Sequence, residues 1–155
     1  MKRAALIALA SLLVGACATA PPRPQSPAPP GITATAFVAG AAAMLGRPYR
    51  YGGADPSGFD CSGLVHFAAA GVGLQLPRTA QELLGTGTPV RREALAGGDL
   101  VFMHLTAKEL HVGIAVDGAR FVHAPSTGGR VRIDSLDTAP YREGFFAARR
   151  LDFPP

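Results

Sequence analysis

Residues 21 to 30 read PPRPQSPAPP, and six of these ten positions are proline. Proline fixes φ and carries no backbone N–H, so this stretch can join neither a helix interior nor a sheet. It is expected to be an extended, polyproline-like tether, a spacer rather than a recognition site. At about 3.1 Å per residue it would reach up to roughly 30 Å. The folding unit is therefore expected in residues 32–155, enough chain for one domain with a core and too little for two. A chain that is 48% hydrophobic and 17% charged belongs with globular proteins.

Ahead of the tether, the chain opens MKRAALIALASLLVGACA. Lys2 and Arg3 form a positive n-region, and Ala4 to Val14 an apolar stretch too short for a bilayer, which takes about 20 residues. Leu13-Val14-Gly15-Ala16-Cys17 resembles the bacterial lipoprotein signal. That resemblance implies a signal peptide over residues 1–16, and a lipidated Cys17 heading the tether of residues 17–31. The protein would then be anchored to a membrane of the bacterial cell envelope through its lipid tails. Residue 18 is Ala rather than Asp, which in enteric-type bacteria points to the periplasmic face of the outer membrane. The alternative is an ordinary secretory signal with Cys17 incidental.

Net charge is +4 with a pI of about 9.6, but two of the positive charges are Lys2 and Arg3 of the leader. The remaining basic residues are scattered, with short pairs at Arg91-Arg92 and Arg149-Arg150. No basic stripe of the kind nucleic-acid binding needs is visible, so no nucleic-acid partner is expected.

Within the domain the hydrophobic period changes once. Residues 32–46 are Ala-rich with helical spacing, capped by Thr33 or Thr35 and stopped by Gly46 with Pro48 behind it. RPYRYGGADPSG is a loop, Asp60 to Ala70 a helix, and Thr79 with Glu82 a capping box for a short helix from Ala80 to Leu84. Then come short β-rich runs at 99–105, 111–117, 120–126, 130–136 and 145–153. Helices first and strands second predict an α+β domain, with the helices packed on a central antiparallel sheet of five to six strands.

Cys61 sits on the first turn of its helix, with Asp60 as a good N-cap. Unpaired N–H groups and the helix dipole at that end favour a thiolate, which makes Cys61 a candidate nucleophile. A small buried cysteine of the core is the other reading. A nucleophile needs a base. His66 lies about 140° around the same helix from Cys61 and cannot face it. His111 opens a strand in which Val112, Ile114 and Val116 face one way. His111, Gly113 and Ala115 face the other, where the small residues leave room for a helix end to approach. His123 could orient His111 if the two share a sheet face. A two-residue hairpin would put them on opposite faces. A three-residue loop, Asp117-Gly118-Ala119, would put Gly113 opposite His123 and His111 diagonal to it, so that loop is predicted, with Gly118 left-handed. A metal site built from His104, His111 and His123 is a weaker alternative, since no HExxH or CxxC spacing accompanies it.

YRYGGADPSGFDCSGLV, LPRTAQEL, GDLVF, HVGIAV and FVHAPS, in that order from about Arg47 to Arg149, resemble the NlpC-type cell-wall cysteine peptidases. The similarity is nearest to the small lipoprotein endopeptidases that cut murein. The resemblance implies a minimal papain-like fold, Cys61 as nucleophile, His111 as base and His123 as the residue that orients it. Tyr49 would help form the oxyanion site with the Cys61 N–H, and Asp60 and Ser62 would shape the substrate side. It implies no cofactor, and a peptidoglycan substrate cut at D-glutamyl–diaminopimelate or at a cross-link between stem peptides. A non-catalytic wall-binding lipoprotein and a thiol amidase or acyltransferase on the same scaffold are the alternatives. Tyr51, beside Gly52-Gly53, reads as structural, and His66 and His104 as surface or satisfied core residues. With Cys17 taken by lipid, Cys61 has no thiol partner and stays free in an oxidising compartment.

Overall fold

The computed structural model describes residues 33–107 and 109–153; the leader, Cys17 and the tether lie outside the described residues. Helix α1 (Ala34–Ala42) starts at the first of the two candidate caps: Thr33 accepts from the Ala36 N–H at 3.1 Å. It ends ahead of Gly46, whose positive φ of 81° belongs to the turn that follows. The loop beyond carries a small hairpin, β1 (Ala54–Asp55) with β2 (Gly58–Phe59). Helix α2 (Cys61–Gly71) begins directly after it with Asp60 as N-cap. Helix α3 (Ala80–Leu83) has both bonds of the Thr79–Glu82 capping box.

The remaining elements are β3 (Thr88–Pro89), β4 (Leu100–Thr106), β5 (Glu109–Ala115), β6 (Arg120–His123), β7 (Arg132–Ser135), the one-turn helix α4 (Tyr141–Gly144) and β8 (Phe145–Arg150). Six strands form one antiparallel sheet in the order β3-β8-β4-β5-β6-β7. The α+β expectation holds. The elements it lacked, β1, β2, β3 and α4, span two to four residues each, too few to display a period.

Strand alternation sends the side chains to two faces. On one, α1 and α2 bring Phe37, Leu64, Val65 and Ala68 against Leu100, Phe102, Val112, Ile114 and Val122. On the other, Val101, Met103, Ala115 and Phe121 pack with Leu136 and Tyr141. Gly113 belongs to this second face, opposite to the helices. A Cβ there would stand 2.5 Å from the Phe121 ring and 3.2 Å from His123 Cβ. The small residues of β5 therefore make room for Phe121 and His123, not for a helix end as the sequence suggested.

The β5–β6 hairpin has the predicted register. Ile114 pairs with Val122 and Ala115 with Phe121, and the Val116 N–H donates to the Arg120 carbonyl at 2.8 Å. Asp117-Gly118-Ala119 is the loop. Gly118, however, does not take a positive φ. The turn is closed instead by Asp117, whose Oδ1 accepts from the N–H groups of Ala119 and Arg120 at 2.9 and 2.8 Å. An Asp side chain that mimics the turn carbonyl removes the need for left-handed backbone.

One ion pair with a buried acid ties the start of β4 to the end of β8. Asp99, 2% exposed, receives Arg150 Nε and Nη2 from β8 at 2.8 and 2.7 Å, and the Ala96 N–H at 2.9 Å. Its removal leaves the Ala96 N–H and the Arg150 guanidinium without their charged acceptor. Asp99→Ala is therefore expected to destabilise the domain by about 2 kcal/mol or more, read as a lowered urea midpoint at unchanged slope. A loss under about 0.5 kcal/mol, typical of a neutral surface change, would contradict this role.

Candidate active site

The first turn of α2 is held from three sides. Asp60 Oδ1 accepts from the Gly63 N–H at 2.6 Å, as an N-cap should. Arg78 reaches across from the segment before α3 and forks onto the same carboxylate, Nη1 to Oδ1 at 3.0 Å and Nη2 to Oδ2 at 2.7 Å. It also donates to Ser62 Oγ at 2.9 Å and to the Gly53 carbonyl at 3.2 Å. Gly63 is where the loop of Gly53 comes closest, and any side chain there would run into the Gly53 carbonyl. Burial alone would raise the Asp60 carboxyl, but Arg78 and the Gly63 N–H outweigh it and hold it below the usual carboxylate range. Asp60 and Ser62 thus anchor the helix start, and Ser62 is itself buried.

Cys61 is a free cysteine, half-buried, on the wall of a cleft of about 700 Å³. Tyr49, Tyr51, Arg78, Glu109 and Leu110 share that cleft. Burial pushes the Cys61 thiol up; the backbone N–H of Val112 on β5 pulls it down, and the Asp60 charge pushes it up again. The sequence expectation that the helix N-terminus favours a thiolate is overturned in balance, because desolvation is larger than what the N–H groups return. Tyr49 is also raised, first by burial and then by the facing Cys61. Tyr51 is 91% exposed, which corrects its structural reading. Its neighbour Gly52 has a φ of 72°, and the turn closed by the Gly53 N–H on the Arg50 carbonyl throws the ring outward.

His111 adjoins Val112, whose N–H serves the Cys61 sulfur. It is 2% exposed, and its Nε2 lies 2.8 Å from His123 Nδ1. The two rings meet edge to face at 5.0 Å. His123 is wholly buried against Phe121 and Tyr141. Its Nε2 lies 2.9 Å from Asp134 Oδ2. Burial brings His111 down to about 3, helped by the facing His123, and brings His123 down to about 4 against the pull of Asp134. Both rings are therefore neutral at neutral pH, and His111 Nδ1 is the ring nitrogen that His123 does not occupy.

The structure brings Cys61, Tyr49, Asp60 and Ser62 to one cleft and joins His111 to His123. His104 stands apart on β4, exposed and stacked on Phe146 at 4.5 Å. No group of three metal-binding side chains converges among the described residues. His66 is satisfied by the Leu76 carbonyl at 3.0 Å. Two residues at the site carried no role in the sequence reading. Arg78 stood inside LPRTAQEL, where its neighbour Thr79 drew attention as a cap. Asp134 stood in a predicted strand beside Arg132, Ile133 and Ser135, and nothing in that local pattern set it apart.

Residues 46–150 match the NlpC/P60 family. Murein DD-endopeptidase MepH of Escherichia coli is 40% identical over 117 residues, covering 72% of this chain and 43% of that protein. A second E. coli protein, named "Probable endopeptidase NlpC", is 37% identical over 158 residues, covering 96% of this chain and 99% of its own length. The chain spans less than half the length of MepH and of a further E. coli relative, YafL. Among solved structures, an NlpC/P60 family protein from Bacillus cereus superposes with a TM-score of 0.73 at 30% identity, over 81% of this chain and 42% of that one. The NlpC/p60 domain of the peptidoglycan hydrolase SagA gives 0.67 at 31% identity, over 77% of this chain and 100% of that one.

The neutral histidine pair has a consequence for stability. Unfolded histidines take a proton near pH 6.5, whereas these two stay bare until about 3 and 4. Below pH 6.5 the unfolded chain binds more protons than the native one, so stability rises with pH up to that value and falls on acidification. The urea midpoint is expected to drop between about pH 7 and pH 5, before carboxylates titrate. The drop should be shallower in His123→Gln, which removes one of the two sites. A midpoint flat across that window would contradict the buried neutral pair.

Proposed function

We propose that this chain, which belongs to the NlpC/P60 family, is a cysteine endopeptidase acting on the stem peptides of peptidoglycan. The observation that carries the reading is the arrangement of its polar groups. A half-buried cysteine opens a capped helix on the wall of a cleft, beside a strand whose histidine is locked to a second one. The endopeptidase relatives of this chain support the same reaction class.

In this mechanism the free site holds a neutral thiol and a neutral imidazole. When a peptide carbonyl enters the cleft, His111 Nδ1 takes the Cys61 proton as the sulfur attacks. An S–C bond forms and the carbonyl oxygen becomes an oxyanion. The Cys61 N–H, which has no i−4 acceptor at a helix start, and the Tyr49 hydroxyl are its donors, each worth roughly 3 kcal/mol. The C–N bond then breaks and His111 passes its proton to the leaving amine. Water attacks the thioester, gives a proton to His111, and the acid leaves as Cys61 regains its own. Asp60, Ser62 and Arg78 act indirectly, by holding the helix start in place. We further propose that cleavage before Cys17 and its lipidation anchor the protein in the cell envelope, with the proline tether carrying the domain toward the wall.

Digestion of defined muropeptides, with the fragments weighed by mass spectrometry, tests this. Wild type is expected to release fragments whose mass distinguishes a D-glutamyl–diaminopimelate cut from a cross-link cut. Cys61→Ala and His111→Ala should release none while keeping the wild-type circular dichroism. Release by Cys61→Ala at the wild-type rate would sink the assignment. Sacculus binding without release by wild type would favour a wall-binding protein, and a transferred acyl group an acyltransferase.

A further inference from the structure

The chain of bonds behind His111 continues past His123. Asp134 Oδ2, 2.9 Å from His123 Nε2, also receives Arg132 Nε at 2.7 Å and the Tyr141 hydroxyl at 2.8 Å. Arg132 Nη2 donates in turn to the Tyr141 oxygen at 3.0 Å. Burial by itself would raise the Asp134 carboxyl, but Arg132, Tyr141 and His123 outweigh it and keep it ionised.

An ionised carboxylate only accepts hydrogen bonds. His123 Nε2 must therefore carry a proton. A neutral imidazole has a single N–H, so His123 Nδ1 is a bare lone pair. That lone pair faces His111 Nε2 at 2.8 Å. Two lone pairs make no bond, so His111 Nε2 carries its proton as well. His111 Nδ1 is then left bare, the form a base toward the Cys61 thiol requires. Reversing one member reverses all: a proton on His123 Nδ1 would force His111 Nε2 bare and block Nδ1.

We propose that Asp134, held by Arg132 and Tyr141, is a positioning residue that fixes the tautomers of both His123 and His111, and through them keeps the base nitrogen free. The proposal rests on the reading of His111 as the base of Cys61. It touches no substrate itself. Its removal would leave the Arg132 guanidinium, whose charge already opposes a proton on His123, without its carboxylate, and a cation favours a bare nitrogen there.

The test is a long-range ¹H–¹⁵N spectrum of histidine-labelled protein near neutral pH, where each ring nitrogen reports whether it is protonated. In the wild type, both Nε2 atoms should be protonated and both Nδ1 atoms bare. Asp134→Ala should place a proton on His111 Nδ1 in a large share of molecules. It should also lower kcat on muropeptides by about tenfold or more, the scale of lost orienting partners, with KM unchanged. Asp134→Asn keeps an oxygen that can accept from the same three donors, and should retain the wild-type tautomers and most of the rate. A wild-type proton on either Nδ1 would overturn the proposal, and that spectrum decides whatever the stability of the variants. So would an Asp134→Ala protein with wild-type tautomers and rate. The expected tautomers in a wild type that cleaves no muropeptide would support the positioning role and contradict the proposed function instead.

Discussion

The hydrogen bond between His111 and His123 is the constraint around which the second face of the sheet is arranged. Both rings are buried and neutral, so each must meet the other with a donor against an acceptor. That demand reaches into the backbone. It requires the odd-to-odd pairing of the β5–β6 hairpin, hence a three-residue loop. It also requires a glycine at 113, where the Phe121 ring and His123 close over the strand. It extends outward through Asp134 to Arg132 and Tyr141, which bring β7 and α4 into the same network. A one-residue slip of the hairpin would move His123 to the helix face and break its bonds to both His111 and Asp134.

A second network holds the partner side. Helix α2 starts where Asp60, Arg78 and the Gly53 carbonyl fix it, and the absence of a side chain at Gly63 lets the loop come that close. The two networks are linked through β5, where Val112, next to His111, turns its N–H to the Cys61 sulfur. Each network joins segments apart in the chain, Arg78 to Asp60 and Asp134 to His123. Burial there works in one sense on the thiol and on the imidazole, since it disfavours the charged form of each. The free site is a neutral pair, and charge separation is deferred to the attack itself.

Much of this was legible in the sequence because the signals are local. Asp60 as a cap, the Thr79–Glu82 box, Thr33 and the hairpin register each follow from the chemistry of a few neighbouring residues. Family resemblance supplied the papain-like class. What was not legible depends on how the chain folds back. Arg78 meets Asp60 across 18 residues, and Asp134 meets His123 across 11, through a strand pairing that no local pattern encodes. The Gly118 expectation failed because Asp117 supplied a side-chain acceptor in place of a left-handed backbone. The thiolate expectation failed because a helix end can be read from sequence, whereas the depth at which it is buried cannot. Tyr51 was misjudged for the converse reason: its turn points the ring out of the fold.

The account stands or falls on Cys61 and His111 acting as one unit. The rate of Cys61 alkylation by iodoacetamide, measured from about pH 5 to pH 9 in wild type and His111→Ala, tests that without any substrate. If His111 Nδ1 takes the thiol proton, wild type should react faster than His111→Ala near neutral pH, by the roughly 10²-fold or more that a positioned base contributes. Superimposable rate profiles would show that the histidine does not serve the thiol, and would contradict the account.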